Sequence, residues 1–250
     1  MKMKHLITAT LLASVTSVAF AQSTTTYFGI SGGEAKAKTA PDLYGVTGIN
    51  PDEINNTINE LNQEPGYTAS SSFTNDRTDT AYKIYLGFKS TENFALEFGY
   101  ADFGKFSSSG RAAAEYVGIS GTAFLSTTAD LESKNTAWFL DAVGTVPMSE
   151  RFSLVGRVGA AYVKTRSTLS DSYAYDYEVD GFPPDAGFGY GSSSRSKSKW
   201  VPKVGIGIDY QISRGISALV EYERYFNVGD SSVGFKSDVD MLTAGLKFHF

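Results

Sequence analysis

The stretch "SDVDMLTAGLKFHF" (residues 237–250) alternates in its second half between apolar and mostly polar residues. From Leu242 onward every second residue is apolar, and the series ends on the aromatic Phe250. The residues between them include Lys247 and His249. A period of two is typical of a β-strand with one apolar face. What that apolar face contacts has to be inferred from the rest of the sequence.

Short and long connections alternate strictly along the chain. Short turn-like breaks occur at 89–93 ("KSTEN"), 146–150 ("VPMSE") and 211–215 ("QISRG"). Such breaks between alternating segments mark hairpin turns. The polar connections are much longer and cover residues 34–79, 102–134, 164–198 and 227–238. This layout predicts an all-β, eight-stranded antiparallel transmembrane β-barrel, with four long extracellular loops and three short periplasmic turns.

A soluble ligand-binding barrel also alternates, with its apolar face inward, so aromatic spacing is needed to separate the two. Phe152 and Tyr162 are ten residues apart, as are Trp200 and Tyr210. In a tilted strand ten residues cover roughly 25 Å, the height of a lipid-facing band. We therefore predict aromatic rings at both membrane interfaces. The periplasmic girdle would hold Phe88, Phe94, Phe152, Tyr210, Phe248 and Phe250, and the outer girdle Tyr82, Tyr100, Trp138, Tyr162 and Trp200.

The opposite face of the same strands carries balanced charge. An eight-stranded barrel is only wide enough inside for side chains to fill it. Opposite charges there can pair, which makes their burial tolerable. A strand that closes such a barrel leaves no free edge, so the ending on Phe250 is also consistent with a lipid-facing strand. The predicted interior ionic network consists of Lys83, Glu97, Asp141, Arg157, Lys203, Asp209, Glu221 and Lys247.

The start of the chain predicts export. Residues 1–21 combine Lys2 and Lys4, an apolar run and a final Ala-Phe-Ala, which is the pattern of a cleaved secretory signal peptide. The run is too short to span a bilayer as a helix, so a membrane anchor is the less favoured alternative. Residues 22–250 are then expected to form the single barrel domain. The net charge of −5 argues against a nucleic-acid partner.

The sequence offers little for chemistry. It contains no cysteine, which excludes a disulfide framework and a thiolate metal site. The stretch 176–181 ("DYEVDG") matches the start of a calcium loop only in part, and Gly187 occupies the position of its bidentate Glu. His249 is more simply an interior polar side chain than part of a catalytic triad. We expect no catalytic residue, no metal and no cofactor, and a protein that is not an enzyme.

Several stretches resemble the OmpA-like outer-membrane β-barrel family. Residues 94–106 ("FALEFGYADFGKF"), 143–163 ("VGTVPMSERFSLVGRVGAAYV") and 203–230 look like its strands three to seven. Residues 241–250 resemble its last strand, whose C-terminal Phe is the signal read by the outer-membrane assembly machinery. The resemblance implies the bacterial outer membrane as location and a structural, surface-interaction role of the adhesion type. It also implies inward ionisable residues at Glu97, Arg157, Asp209 and Glu221. Many members of the family carry a peptidoglycan-binding domain after the barrel, and none is expected here, because the sequence ends on the last strand at Phe250.

The long connections carry two further features. Residues 51–61 ("PDEINNTINEL") place Ile54, Ile58 and Leu61 on one helical face, which predicts a helix that caps its own loop or binds a partner. Residues 172–181 ("SYAYDYEVDG") are rich in Tyr, as recognition surfaces are. A possible host or surface ligand would bind through these loops.

A set of cations lies near the predicted outer rim. Arg and Lys suit phosphate, so we expect contacts with lipopolysaccharide as well as with outer-membrane lipids. The candidate phosphate contacts are Lys134, Lys164, Arg166, Arg195, Lys197 and Lys199.

Two other functions remain open besides surface interaction. The first alternative is a small low-conductance pore for ions or small solutes, and an enzyme acting on lipid or peptide ranks third.

Overall fold

The computed structural model describes residues 26–250, so the signal peptide expected at 1–21 lies outside the described residues. Among the described residues no helix is long and apolar enough to cross a membrane. Two helices, α1 (Leu43–Thr47) and α2 (Pro51–Leu61), and a single 3₁₀ turn (Ser231–Val233) accompany the strands. The strands are β1 (Thr26–Ala37), β2 (Tyr67–Asp76), β3 (Thr78–Lys89), β4 (Phe94–Gly118), β5 (Gly121–Pro147), β6 (Phe152–Val179), β7 (Asp185–Ser213), β8 (Ile216–Asp230) and β9 (Phe235–His249).

The strands close into a ring, which confirms the eight-stranded antiparallel barrel. The order around the ring is β1-β3-β4-β5-β6-β7-β8-β9, and β9 pairs back with β1. Ile30 of β1, for example, lies between Ile84 of β3 and Leu246 of β9. The ninth strand, β2, is not a further strand of the barrel wall. It precedes β3 across Arg77 and pairs with the outer part of β4, in line with β3.

The three short turns occur where they were predicted, but the connections 102–134 and 164–198 are not irregular loops. Strands β4 to β7 run 25 to 29 residues each and continue far beyond the membrane band. With β2 they form a five-stranded sheet, which we call the extension. Its residues are mostly Ser, Thr, Tyr, Gly and Ala, with no apolar alternation to reveal a strand, because neither face contacts lipid. A β-bulge in β4 between Asp102 and Lys105, with Gly104 at φ 72°, marks where the barrel wall passes into the extension.

The first long connection folds over the mouth of the barrel. Helix α2 has the predicted bounds, with Pro51 in its first turn, and the Asn50 side chain accepts a hydrogen bond from the Asp52 amide at 3.0 Å. Leu43 of α1 packs with Ala129 and Leu131 on the inner face of β5. The connection therefore covers part of the mouth rather than extending into solvent.

The core is the barrel lumen itself, because every second side chain of each strand points inward. Below the mouth, the ring of Phe106 stacks with that of Phe235 at 5.5 Å. Phe103 packs edge-on against Tyr225 at 4.6 Å. A layer of charged residues lies next to these aromatic layers, and the apolar residues of the outward face remain exposed for lipid.

Candidate functional site: the barrel lumen and the extracellular surface

Most of the predicted interior charges meet in one cluster inside the barrel. The Lys83 ammonium donates to Glu221 Oε2 at 2.8 Å. The Arg157 guanidinium donates through Nε and Nη2 to both oxygens of Glu97, at 3.0 and 3.1 Å. Arg157 also contacts Glu221, so the two pairs are joined. All four side chains are buried, and the bidentate Arg157–Glu97 geometry is the strongest form of such a contact.

Glu223 extends this cluster and was missed in the sequence. It lies two residues after Glu221, so the same alternation places it inward, and that spacing could have identified it. The Lys203 ammonium donates to Glu223 Oε1 at 2.9 Å and to Asp141 Oδ2 at 2.7 Å. Lys83 lies 3.2 Å from the same Glu223 oxygen. One carboxylate thus bridges two cations, and the lumen network has three cations and four acids.

Aromatic residues line the network and complete its contacts. The Tyr27 hydroxyl donates to Glu97 Oε1 at 2.6 Å, and the Tyr225 hydroxyl donates to Glu223 Oε2 at 3.2 Å. The Lys203 ammonium lies 4.1 Å from the centroid of the Phe139 ring, within cation–π distance. Rings and ion pairs together fill the lumen at this level, in keeping with the width of an eight-stranded barrel.

Two predicted members, Asp209 and Lys247, form a separate pair nearer the periplasmic turns. Their side chains contact each other, and the Lys247 ammonium lies 5.2 Å from the centroid of the Tyr27 ring. His249 lies beside them, with its Nε2 3.1 Å from the Ser217 hydroxyl. The structure therefore brings six of the eight predicted charges into the lumen network and leaves these two apart from it.

The eleven predicted interface aromatics lie on the outward face of the barrel. Near the outer end, the Trp138 ring packs edge-on against Tyr100, and Tyr162 contacts Trp200, both at 5.3 Å. Near the other end, Phe152 contacts Tyr210 at 4.8 Å. The remaining members, Tyr82, Phe88, Phe94, Phe248 and Phe250, belong to the same outward set of alternate residues.

The six candidate phosphate contacts divide between two faces. Lys134 and Arg166 are opposite each other on β5 and β6, on the outward face just beyond the outer girdle, and Lys164 precedes Arg166 on that face. The other three also lie near the outer rim, but on the inner side of the wall. Arg195, Lys197 and Lys199 are paired with Ser167, Thr165 and Val163, which are buried on the inner side. The cause is the alternation of β7, because the outward position belongs to Trp200 and the other even-numbered residues.

The extension presents aromatic rings on both faces. Tyr173, Tyr175 and Tyr177 of β6 form a row of near-parallel rings on the inner face, with centroids 6.5 and 6.4 Å apart. On the other face Phe188 and Tyr190 of β7 are 82% and 87% exposed. An exposed aromatic patch of this kind marks an interaction site more often than a random surface does.

Strand β7 also has a free edge in the extension. From Asp185 to Pro202 it pairs with β6 only, because its pairing with β8 begins at Lys203. Backbone donors and acceptors along this edge are open to another strand. The hairpin formed by β6 and β7 has five acids and no base between residues 168 and 194, namely Asp171, Asp176, Glu178, Asp180 and Asp185.

The chain is similar to several known proteins. An uncharacterized protein of Coxiella burnetii (strain RSA 493 / Nine Mile phase I) is 25% identical over 188 residues, which cover 72% of this chain and 73% of that protein. Neisserial surface protein A (NspA) superposes with a TM-score of 0.42 and 11% identity, covering 92% of this chain and 100% of that chain. Acinetobacter baumannii CarO gives a TM-score of 0.38 and 18% identity, covering 75% and 99%.

A protein-family model accounts for nearly the whole sequence. Residues 21–250 match the model described as the OmpA-like transmembrane domain. That span includes all eight strands of the barrel wall and the extension. The chain therefore belongs to the family of OmpA-like outer-membrane β-barrels.

Proposed function

We propose that the protein has a structural and surface-interaction role of the adhesion type in the bacterial outer membrane, exerted through the extension. The observation that carries this proposal is the β6–β7 hairpin, whose free edge displays Phe188 and Tyr190 almost fully exposed. Exposed rings supply large contact area on a rigid strand. A free edge adds backbone hydrogen bonds for an extended partner segment.

Cell adhesion of two matched variants tests this role. Bacteria expressing the protein are compared with an isogenic strain that lacks it, on a monolayer of cultured epithelial cells. Phe188→Ser combined with Tyr190→Ser should reduce adhesion to the level of the strain without the protein. Ile119→Ser, which removes an equally exposed apolar side chain from the β4–β5 turn, should have no effect. Wild-type adhesion by the double variant would refute the assignment of the hairpin.

We further infer that the outward cations Lys134, Lys164 and Arg166 contact lipopolysaccharide phosphates. They lie just beyond the aromatic girdle, at the height where lipid head groups begin. The structure supplies a control of equal charge, because Arg195, Lys197 and Lys199 face inward on the same side of the barrel. Changing the outward three to Gln should remove co-purifying lipopolysaccharide, measured by native mass spectrometry. Changing the inward three to Gln should leave it in place, and equal loss in both would contradict the inference.

Strand β9 and the exposed Phe250 that follows it support a further part of the proposal, recognition by the outer-membrane assembly machinery. The readout is the fraction of newly made protein that acquires heat-dependent gel mobility in cells. Deleting Phe250 should slow this step without changing the refolding rate of the purified chain in detergent.

The alternative function is a small low-conductance pore. Glu223 contacts both Lys83 and Lys203, so ion pairs in the lumen have a shared partner through which they can exchange. Single-channel recording of the full chain in planar bilayers separates the two functions. Discrete openings that change in Glu223→Gln would support a pore. Silence from protein shown to be folded by gel mobility would assign the function to the extension.

A further inference from the structure

The periplasmic end of the lumen contains a cavity of about 220 Å³, which none of the functions above uses. It lies among the three short turns and is separate from the lumen network. The ring of Tyr27 forms part of its wall, and the hydroxyl of the same residue reaches Glu97 in the network. A polar cavity of this size holds several water molecules or one small ligand. Its inward-facing polar residues include Lys89, Asp209, Ser217, Lys247 and His249.

The charges inside this cavity are unequal. Its inward carboxylate, Asp209, is already in contact with Lys247. The side chain of Lys89 is half-buried, and its ammonium has no ion pair or hydrogen bond among residues 26–250. The His249 ring adds a nitrogen that can form a hydrogen bond beside the two ammonium groups. The turns at the rim contribute two acids and two arginines, Glu92, Glu150, Arg151 and Arg214, so they do not reverse the excess of positive charge.

We propose that this cavity binds an oxyanion, a phosphate or a carboxylate group, that enters from the periplasm. Lys89 is the principal ligand, because it is the half-buried, inward-facing cation of the cavity whose ammonium forms no ion pair among the described residues. A charge-assisted hydrogen bond from that ammonium suits either group. His249 on β9 and Ser217 on β8, which contact each other, can supply further hydrogen bonds to the bound group. The Lys247–Asp209 pair and the Tyr27 ring close the inner end, so the bound group does not reach the lumen network. The proposal is independent of the extension and of the surface role.

His249 is a convenient reporter for this site. The full chain contains two histidines, His5 and His249, and a His249→Gln variant assigns the signal. The full chain is prepared with ¹³C,¹⁵N-labelled histidine, folded in detergent micelles, and titrated at constant pH and ionic strength. Inorganic phosphate is the probe in one series and acetate in the other, so the two possible sources are distinguished by which one saturates at lower concentration.

The expected result is a saturable shift of the His249 ring signals. Lys89→Met should weaken the apparent affinity at least tenfold, and Lys89→Arg should retain it, because the positive charge is kept. Lys105→Met serves as the control, since Lys105 is an exposed cation at the far end of the barrel, and it should titrate as the wild type. A shift that stays linear with both anions, or one that is the same in Lys89→Met, would overturn the proposal. Heat-dependent gel mobility establishes that each variant is folded.

Discussion

The lumen network is most sharply tested by Lys203→Met. The ammonium of Lys203 lies 2.7 Å from Asp141 and 2.9 Å from Glu223. Met keeps most of the length of the side chain and removes the charge. Glu223 would retain Lys83 and the hydroxyl of Tyr225. Asp141 would lose its ion-pair partner, and its second oxygen already has no hydrogen bond among the described residues.

The expected cost follows from the burial of the pair. Removing one partner of a buried ion pair costs about 3–5 kcal/mol of unfolding free energy, because the other charge remains uncompensated. An exposed pair provides the control. Lys105 and Glu132 are 3.1 Å apart, with side chains 54% and 47% exposed, and such pairs contribute about 0–1 kcal/mol. Lys105→Met should therefore change stability by no more than about 1 kcal/mol.

The measurement is urea unfolding of the protein in lipid vesicles, followed by tryptophan fluorescence. Trp138 and Trp200 are the two tryptophans of the chain, and both lie on the outward face, whereas Lys203 and Asp141 face the lumen. Adding Asp141→Asn to Lys203→Met should recover part of the loss, since it removes the uncompensated charge. If Lys203→Met lowers the free energy of unfolding no more than Lys105→Met does, the buried network does not stabilise the barrel as its geometry implies.

Three further perturbations test other parts of the structure. Arginine hydrogen bonds hold the pKa of Asp240 at about 2, below its usual value, so its stabilisation is present above about pH 4 and is lost as the pH falls towards 2. Asp240→Asn should lower the thermal midpoint at pH 7 by an amount equivalent to about 1 kcal/mol or less, and the difference should vanish near pH 2. Gly29→Ala would place a methyl group in collision with the Tyr85 ring and should cost about 1–3 kcal/mol in urea unfolding. Gly156→Ala, with nothing within 4 Å, should be neutral. Asn50→Ala should cost helix α2 about 1 kcal/mol, seen as faster amide exchange in residues 51–61 while exchange in the barrel stays unchanged.

The sequence alone determined the barrel and the direction of its side chains. Where a strand passes between lipid and a narrow lumen, each residue faces one environment or the other, so alternation and the short turns specify the wall directly. The same rule identified Lys83, Arg157 and Lys203 as inward residues before any contact was known. It would also have identified Glu223, which follows the same alternation.

Only the tertiary structure decided what those residues touch and how far the strands extend. The Lys83–Glu221 contact joins residues 138 positions apart, and the register of several strands has to be set before the two side chains meet. The extension has no sequence signature, since a sheet that contacts no lipid and only a small apolar cluster needs no apolar alternation. Its strands exist because neighbouring strands continue to pair beyond the membrane. The same pairing turns Lys197 towards the barrel mouth and Arg166 towards the membrane surface, since the face of a rim residue depends on the register of its strand.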